Sequence, residues 1–224
     1  YARLCESLVS QKGEAAVEPY SVWDEDGHEI NPASALLVVA NPFDLPWKHR
    51  SMVGELYSSL EAGLLEDEDM RRELQEFRVA LESSVHKLGF QLNADYGFAV
   101  EWSLGSYLKA FSYEVDLSGA STLLEKLICF VDFAADVTVG KVLVFVNLGT
   151  FLMENDLLGL NDRLFFHGIS ALLLENRTFK LDESIALEYV VDQDFVEYVL
   201  TGKSECPSSS QGGFRPNGFG AVAF

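Results

Sequence analysis

The apolar positions change their period several times along the chain. Residues 34–45, SALLVVANPFDL, form a short, nearly continuous apolar run closed by Asn-Pro and a second Pro. Such a run predicts a strand buried on both faces, followed by a turn. Ahead of it, WDEDGHEINP is a charged loop containing Gly. Beyond it the spacing becomes helical: Met52, Val53, Leu56, Leu60 and Leu64 recur over 51–66, and Met70, Leu74, Phe77, Leu81, Val85 and Leu88 over 67–88. Two long amphipathic helices, joined near the acidic EDED, are predicted.

Residues 89–116 are mixed, with Gly and Asn punctuation and a short helix expected around 101–110. Helical period then returns through Leu123, Leu127, Phe130, Val131 and Ala134, and Thr122 with Glu125 has the spacing of a capping box. From Gly140 the pattern alternates. KVLVFVNL is β-branched and apolar; ENDLLGLNDRLFFHG carries Leu157, Leu160 and Leu164 on one face and stops at Gly168; ISALLLEN is apolar again. Strand, helix, strand in this order implies a parallel pair. ALEYVVDQDFVEYVL offers another strand and a terminal turn or helix, and the Gly-, Ser- and Pro-rich 201–224 reads as a flexible tail. No internal repeat is found. The expected plan is an α/β head from 1–47 and 138–200, interrupted by an α-helical leg over 48–137. Because the sequence opens on Tyr rather than Met, a preceding piece with a further strand is also expected.

Composition narrows the class. Of 224 residues 48% are hydrophobic and 23% charged, the balance of a folded globular chain. Cys5, Cys129 and Cys206 are odd in number and far apart, which suggests neither a disulfide framework nor a metal cluster and points to a reducing cytoplasm. No apolar run approaches the roughly 18 residues of a membrane span, and the first residues lack the basic start and apolar middle of a signal peptide. The formal charge of −19 repels phosphate and anionic lipid at long range. Any nucleic-acid contact must therefore come from a local basic patch, most easily built where an oligomer repeats a few cations around a cavity. The same acidity leaves carboxylates for a hard cation such as calcium.

Enzymatic motifs are missing. There is no GxxxxGK[ST] to cradle phosphates, no GxSxG and no HExxH. VLVFVNL ends in Asn147 where a metal-binding acid could stand, and the four His residues, His28, His49, His86 and His167, are scattered. His167 beside Gly168 suits a helix C-terminus, where positive charge is welcome. Three basic groupings remain: WKHR at 47–50, RRELQEFR at 71–78, and Lys87 with Lys109. Arg71 and Arg78, seven apart, can share a helix face from which Lys87 drifts. The competing reading is a solvated face that pairs with Glu73 and Glu82.

The order of the C-terminal motifs adds a further clue. Lys141 opening an apolar strand, Phe145 to Asn147, the Phe151–Leu152 step, the acidic helix Glu154 to Leu164, the apolar strand Leu172 to Glu175 with Arg177, and Asp192 to Asp194 follow one another. In this order they resemble the Csn2 family, ring-forming DNA-binding proteins of type II-A CRISPR adaptation. Upstream, ALLVVANPFDL, the two long helices and LNADYGFAVEWSLGSYLKAF fall in register with the same family, so the resemblance covers about residues 5–200.

That resemblance implies a nucleotide-kinase-like parallel-sheet head without a functional phosphate loop, carrying a helical leg. It implies a non-catalytic homotetrameric ring that holds double-stranded DNA, by its ends or through a basic hole, beside the CRISPR integrase and type II effector nuclease during spacer acquisition. It implies calcium near the junction of head and leg, for which Asp95, Glu101, Glu114, Asp116 and Glu125 are the candidates. For DNA the candidates are Lys109 and Lys126, with Arg71, Arg72, Arg78 and Lys87 from the leg. Two rivals stand beside this reading: a nucleotide-dependent α/β enzyme with its phosphate loop in a preceding segment, and an acidic interaction subunit without DNA affinity.

Overall fold

A computed structural model describes residues 4–5, 7–8, 20–24, 26–137, 140–176, 187–191, 197–200 and 219–223. The chain divides into two compact units, one of residues 1–46 and 116–224 and a second of Trp47–Val115.

The first unit is built on a six-stranded mixed sheet whose strands lie in the order β3 (Leu36–Val39), β4 (Val142–Val146), β5 (Ala171–Glu175), β8 (Phe219–Ala223), β6 (Leu187–Val191) and β7 (Glu197–Leu200). A small hairpin, β1 (Val22–Trp23) with β2 (Glu29–Ile30), leads into a one-turn helix α1 (Pro32–Ala35), capped by the Asn31 side chain, and then into β3 (Leu36–Val39). β4 (Val142–Val146) pairs with β3 and with β5 (Ala171–Glu175), both in parallel. The predicted strand-helix-strand unit is therefore present. Its register explains the unbroken apolar runs. Leu37, Val39, Leu143, Phe145, Ala171 and Leu173 alternate along their strands and are all buried. On the opposite face Val144 and Leu174 pack with Leu36, Val38, Leu172, Tyr20 and the helical residues Leu4 and Leu8. A sheet covered on both faces needs apolar side chains at every position.

Between β4 and β5 runs α6 (Glu154–His167), with Leu157, Leu160 and Leu164 each 1% exposed. It ends at Gly168, whose φ of +63° is the left-handed conformation that a helix stop commonly uses and Gly adopts freely. α5 (Leu123–Val137) packs against α6 and buries Leu127, Phe130, Val131, Phe133 and Ala134. Asp132 of α5 bridges the pair. It accepts hydrogen bonds from Arg163 and, at 2.8 Å, from His167 Nε2, and the Arg163 hydrogen bond holds its carboxyl below the usual range. His167 thus sits at a helix C-terminus, as its neighbour Gly168 suggests.

Two expectations change here. α5 belongs with the sheet unit, so the helical unit ends at Val115 rather than near 137. The reason is its apolar content: with six buried side chains this helix is part of a core, not a leg. The segment read as a flexible tail also contributes structure, since β8 (Phe219–Ala223) lies antiparallel between β5 and β6 (Leu187–Val191). β6 pairs in turn with β7 (Glu197–Leu200), a strand where the sequence pattern suggests a terminal turn or helix. Arg177 and residues 192–194, used in the family resemblance, lie outside the described residues.

The second unit contains α2 (Arg50–Glu66), α3 (Glu68–Gly89) and α4 (Leu104–Ala110). Asp67 separates the two long helices: its N–H closes α2 on Gly63, and its side chain accepts from Met70 N at 2.9 Å to start α3. Acidic Glu68 and Asp69 in the first turn of α3, and His86 and Lys87 in the last, complement the helix dipole. α4 is tied to α2 by two contacts. Glu61 accepts from Gly105 N at 2.8 Å, capping the shorter helix, and the Tyr57 hydroxyl donates toward the carbonyls of Leu108 (3.4 Å) and Tyr113 (3.2 Å). A side chain at position 105 would put its Cβ 2.8 Å from the Glu61 carboxylate, so Gly there permits this cap.

Candidate nucleic-acid interface

The six candidate cations occupy three different helices. Arg71, Arg72, Arg78 and Lys87 are on α3, Lys109 is on α4, and Lys126 is exposed in the first turn of α5. The α3 arginines are partly engaged locally. Arg72 pairs with Asp69 at 2.6 Å, Arg78 with Glu82 at 3.6 Å, and Arg71 reaches the Leu65 carbonyl at 3.5 Å. The exposed Arg72–Asp69 pair contributes little energy, but it and the half-buried Arg78–Glu82 pair reduce the positive field that the helix presents. For Arg78, pairing with Glu82 is the arrangement that the solvated-face reading anticipates.

Lys109 differs. It lines a cleft of about 450 Å³, wholly within the second unit, together with Lys48, Arg50, Trp47, Tyr57, Ser112, Tyr113 and Glu114. Lys48 is paired with Glu114 at 3.4 Å. Among the described residues neither Arg50 nor Lys109 has an acidic partner. The lining carries three cations against one carboxylate, in a chain with 16 Lys and Arg against 35 Asp and Glu. The protein's overall balance is thus reversed at this point.

Local structure creates the cleft. α4 terminates in two hydrogen bonds, Tyr113 N to Leu108 O at 2.9 Å and Ser112 N to Lys109 O at 3.2 Å. This is the Schellman arrangement, which requires a left-handed residue in the middle. Here that residue is Ser112, with φ of +52°. The turn folds the chain back so that Tyr113 and Glu114 face the same space as Lys109, while the Tyr57 hydroxyl on α2 holds the Tyr113 carbonyl. The WKHR grouping enters from the other side, at the start of α2. Sequence pattern singles out that grouping but points to Lys109 without Lys48 and Arg50, because their proximity depends on a contact between α2 and α4 some fifty residues apart.

The candidate calcium ligands are divided between the two units. Asp95, Glu101 and Glu114 lie in the second unit and Asp116 and Glu125 in the first. Glu114 faces Lys48, Asp116 accepts from Ser118 N at 2.9 Å, and Glu125 Oε2 accepts from Ser121 N, Ser121 Oγ and Thr122 N at 2.7, 2.9 and 2.8 Å. Glu125 N is in turn held by Thr122 Oγ1, so the predicted capping box is formed. The Thr122 and Ser121 hydrogen bonds lower the Glu125 pKa to about 2. Within neither unit do these five carboxylates bring three ligand oxygens together, as a hard cation requires. They do not fit an ion held inside one unit. Among the described residues the one close trio is Asp24, Asp26 and His28 on the exposed β1–β2 turn.

Comparison with known families decides the wider context: the family profile of the CRISPR-associated protein Cas_Csn2 matches residues 16–195. The chain belongs to the Cas_Csn2 family. The match spans both units, from before β1 to beyond β6, and membership assigns the protein a role in CRISPR adaptation. No match was found among curated protein sequences. Among the described residues no helix is long and apolar enough to cross a membrane.

Proposed function

We propose that this Cas_Csn2 protein is a non-catalytic component of spacer acquisition that binds double-stranded DNA as a ring of four copies. The single observation carrying the DNA reading, beside family membership, is the concentration of Lys48, Arg50 and Lys109 at one cleft of a strongly acidic protein. Cations that neutralise phosphates release counterions from the duplex, which supplies affinity without reading bases. A net charge of −19 opposes this in a single copy, whereas repetition by symmetry concentrates the few cations on one side of an assembly.

An exposed apolar stripe supports self-association. On α3, Met70, Phe77, Leu81, Val85 and Leu88 are 43–65% exposed, and with Leu74 they recur at steps of four, three, four, four and three. That is the spacing of a helix seam that packs against another helix. In the proposed setting the integrase and the effector nuclease are the working partners.

Gel retardation of linear and circular duplex, with and without calcium, tests the proposal. Retardation of linear DNA at about 50 mM salt that disappears near 200 mM, whatever the sequence, is expected. Absence of retardation of linear DNA at low salt would leave the acidic interaction subunit as the better reading. ATP hydrolysis by a monomer would favour the enzyme instead.

A further inference from the structure

We infer that the cleft between the start of α2 and the end of α4 is a binding site for a nucleoside 5′-phosphomonoester, free or at the end of a DNA strand. The inference rests on the proposed DNA role only for the second of these sources. The chemistry of the lining specifies both halves of the ligand. Arg50 and Lys109 have no acidic partner among the described residues, and Lys48 is compensated only by an exposed pairing with Glu114 that an incoming phosphate can replace. A phosphomonoester carries up to two negative charges and three acceptor oxygens, and so matches more of these donors than a backbone diester does. The positive end of α2 is on the same wall, and its first turn holds no acidic residue. Lys48 and Arg50 at that helix end raise the electrostatic energy of the empty protein, and an anion offsets it.

The aromatic part of the wall addresses the base. Trp47 and Tyr113 line the cleft over the buried Tyr57, and Tyr113 is 52% exposed, leaving ring surface available for stacking. The volume of about 450 Å³ is within the range of small-molecule sites and suits one nucleotide, free or at a strand end. Ser112 supplies a hydroxyl beside Lys109 at a position where the left-handed backbone favours Gly. A side chain kept at a strained position is accounted for if its hydroxyl contacts the ligand.

Calorimetry on the full chain with thymidine 5′-monophosphate, thymidine and inorganic phosphate tests the site, together with blunt duplexes that do or do not carry a 5′-phosphate. The monophosphate is expected to bind at least about tenfold more tightly than thymidine or phosphate, because only it uses both walls. Arg50→Gln with Lys109→Gln should weaken it about tenfold or more, and Ser112→Gly a few-fold, with unfolding midpoints showing that each variant is folded. Lys141→Gln, in the first unit and not part of the cleft lining, should leave it unchanged. If the 5′-phosphate also strengthens duplex binding, the ligand is a DNA end; if it does not while the monophosphate binds, the ligand is the free nucleotide. Failure of the monophosphate to bind at about 5 mM, or binding indifferent to the Arg50 and Lys109 substitutions, overturns the site. Duplex retardation at low salt in that case would leave the DNA-binding proposal standing.

Discussion

Ser112 illustrates how one residue carries both a cost and a use. A β-carbon in the left-handed region costs about 1 kcal/mol that Gly does not incur. Ser112→Gly is therefore expected to raise the stability of the helical unit by up to about 1 kcal/mol, read as a higher urea midpoint. The same change should weaken the phosphomonoester, so stability and binding move in opposite directions. A residue with only a structural role would not produce that split. Glu125 makes a second prediction at this scale. Its folded pKa of about 2 lies below the ordinary 4.5, so its capping contribution is complete above that ordinary value and disappears as pH falls toward 2. Carbon-detected NMR titration should place its midpoint near 2. Glu125→Gln should flatten the loss of stability between 4.5 and 2, and an unchanged slope would show that the cap is not what titrates.

At the scale of elements, α3 is the anomaly. It is 22 residues long, has good caps and dipole-matched ends, and has no buried residue at all. Helices of this kind gain most of their stability from packing an apolar face, and in the proposed ring the exposed stripe of Phe77, Leu81 and Val85 is the face that a second copy would cover. Replacing Phe77 and Leu81 with Lys is expected to shift the protein to monomers in light scattering, with the secondary structure of the sheet unit retained. Persistence of the larger species would place the interface elsewhere. α5 is the counter-example. Its period is as helical as that of α3, yet its apolar content is far higher, and it is built into the sheet unit with α6. Hydrophobic periodicity located both helices; density of apolar residues, rather than period, distinguished a core helix from an exposed one.

For the whole molecule the decisive quantity is charge. An anionic body with a few clustered cations should bind duplex with a steep salt dependence, and neutralising one cation that touches a phosphate should reduce the slope of log K against log salt by about 1. Lys109→Gln is expected to lower that slope for duplex of any sequence, whereas Arg72→Gln, already paired with Asp69, should change it less. Equal effects would mean that the cleft has no special part in binding DNA.

Much of this organisation is written in local pattern. The apolar runs at 36–39, 142–146 and 171–175, the face of Leu157, Leu160 and Leu164, the stop at Gly168 and the Thr122–Glu125 box depend on neighbours within a few residues, so sequence alone determined them, along with the family and the acidic charge. What only tertiary structure decided was long-range: that β8 enters the sheet from a Gly- and Ser-rich end, that α5 joins the sheet unit, and that Lys48, Arg50 and Lys109 share a cleft. The physical reason is that strand insertion and the meeting of α2 with α4 are set by hydrogen bonds and packing between segments distant in the chain. Period and composition hold no record of which distant surfaces meet.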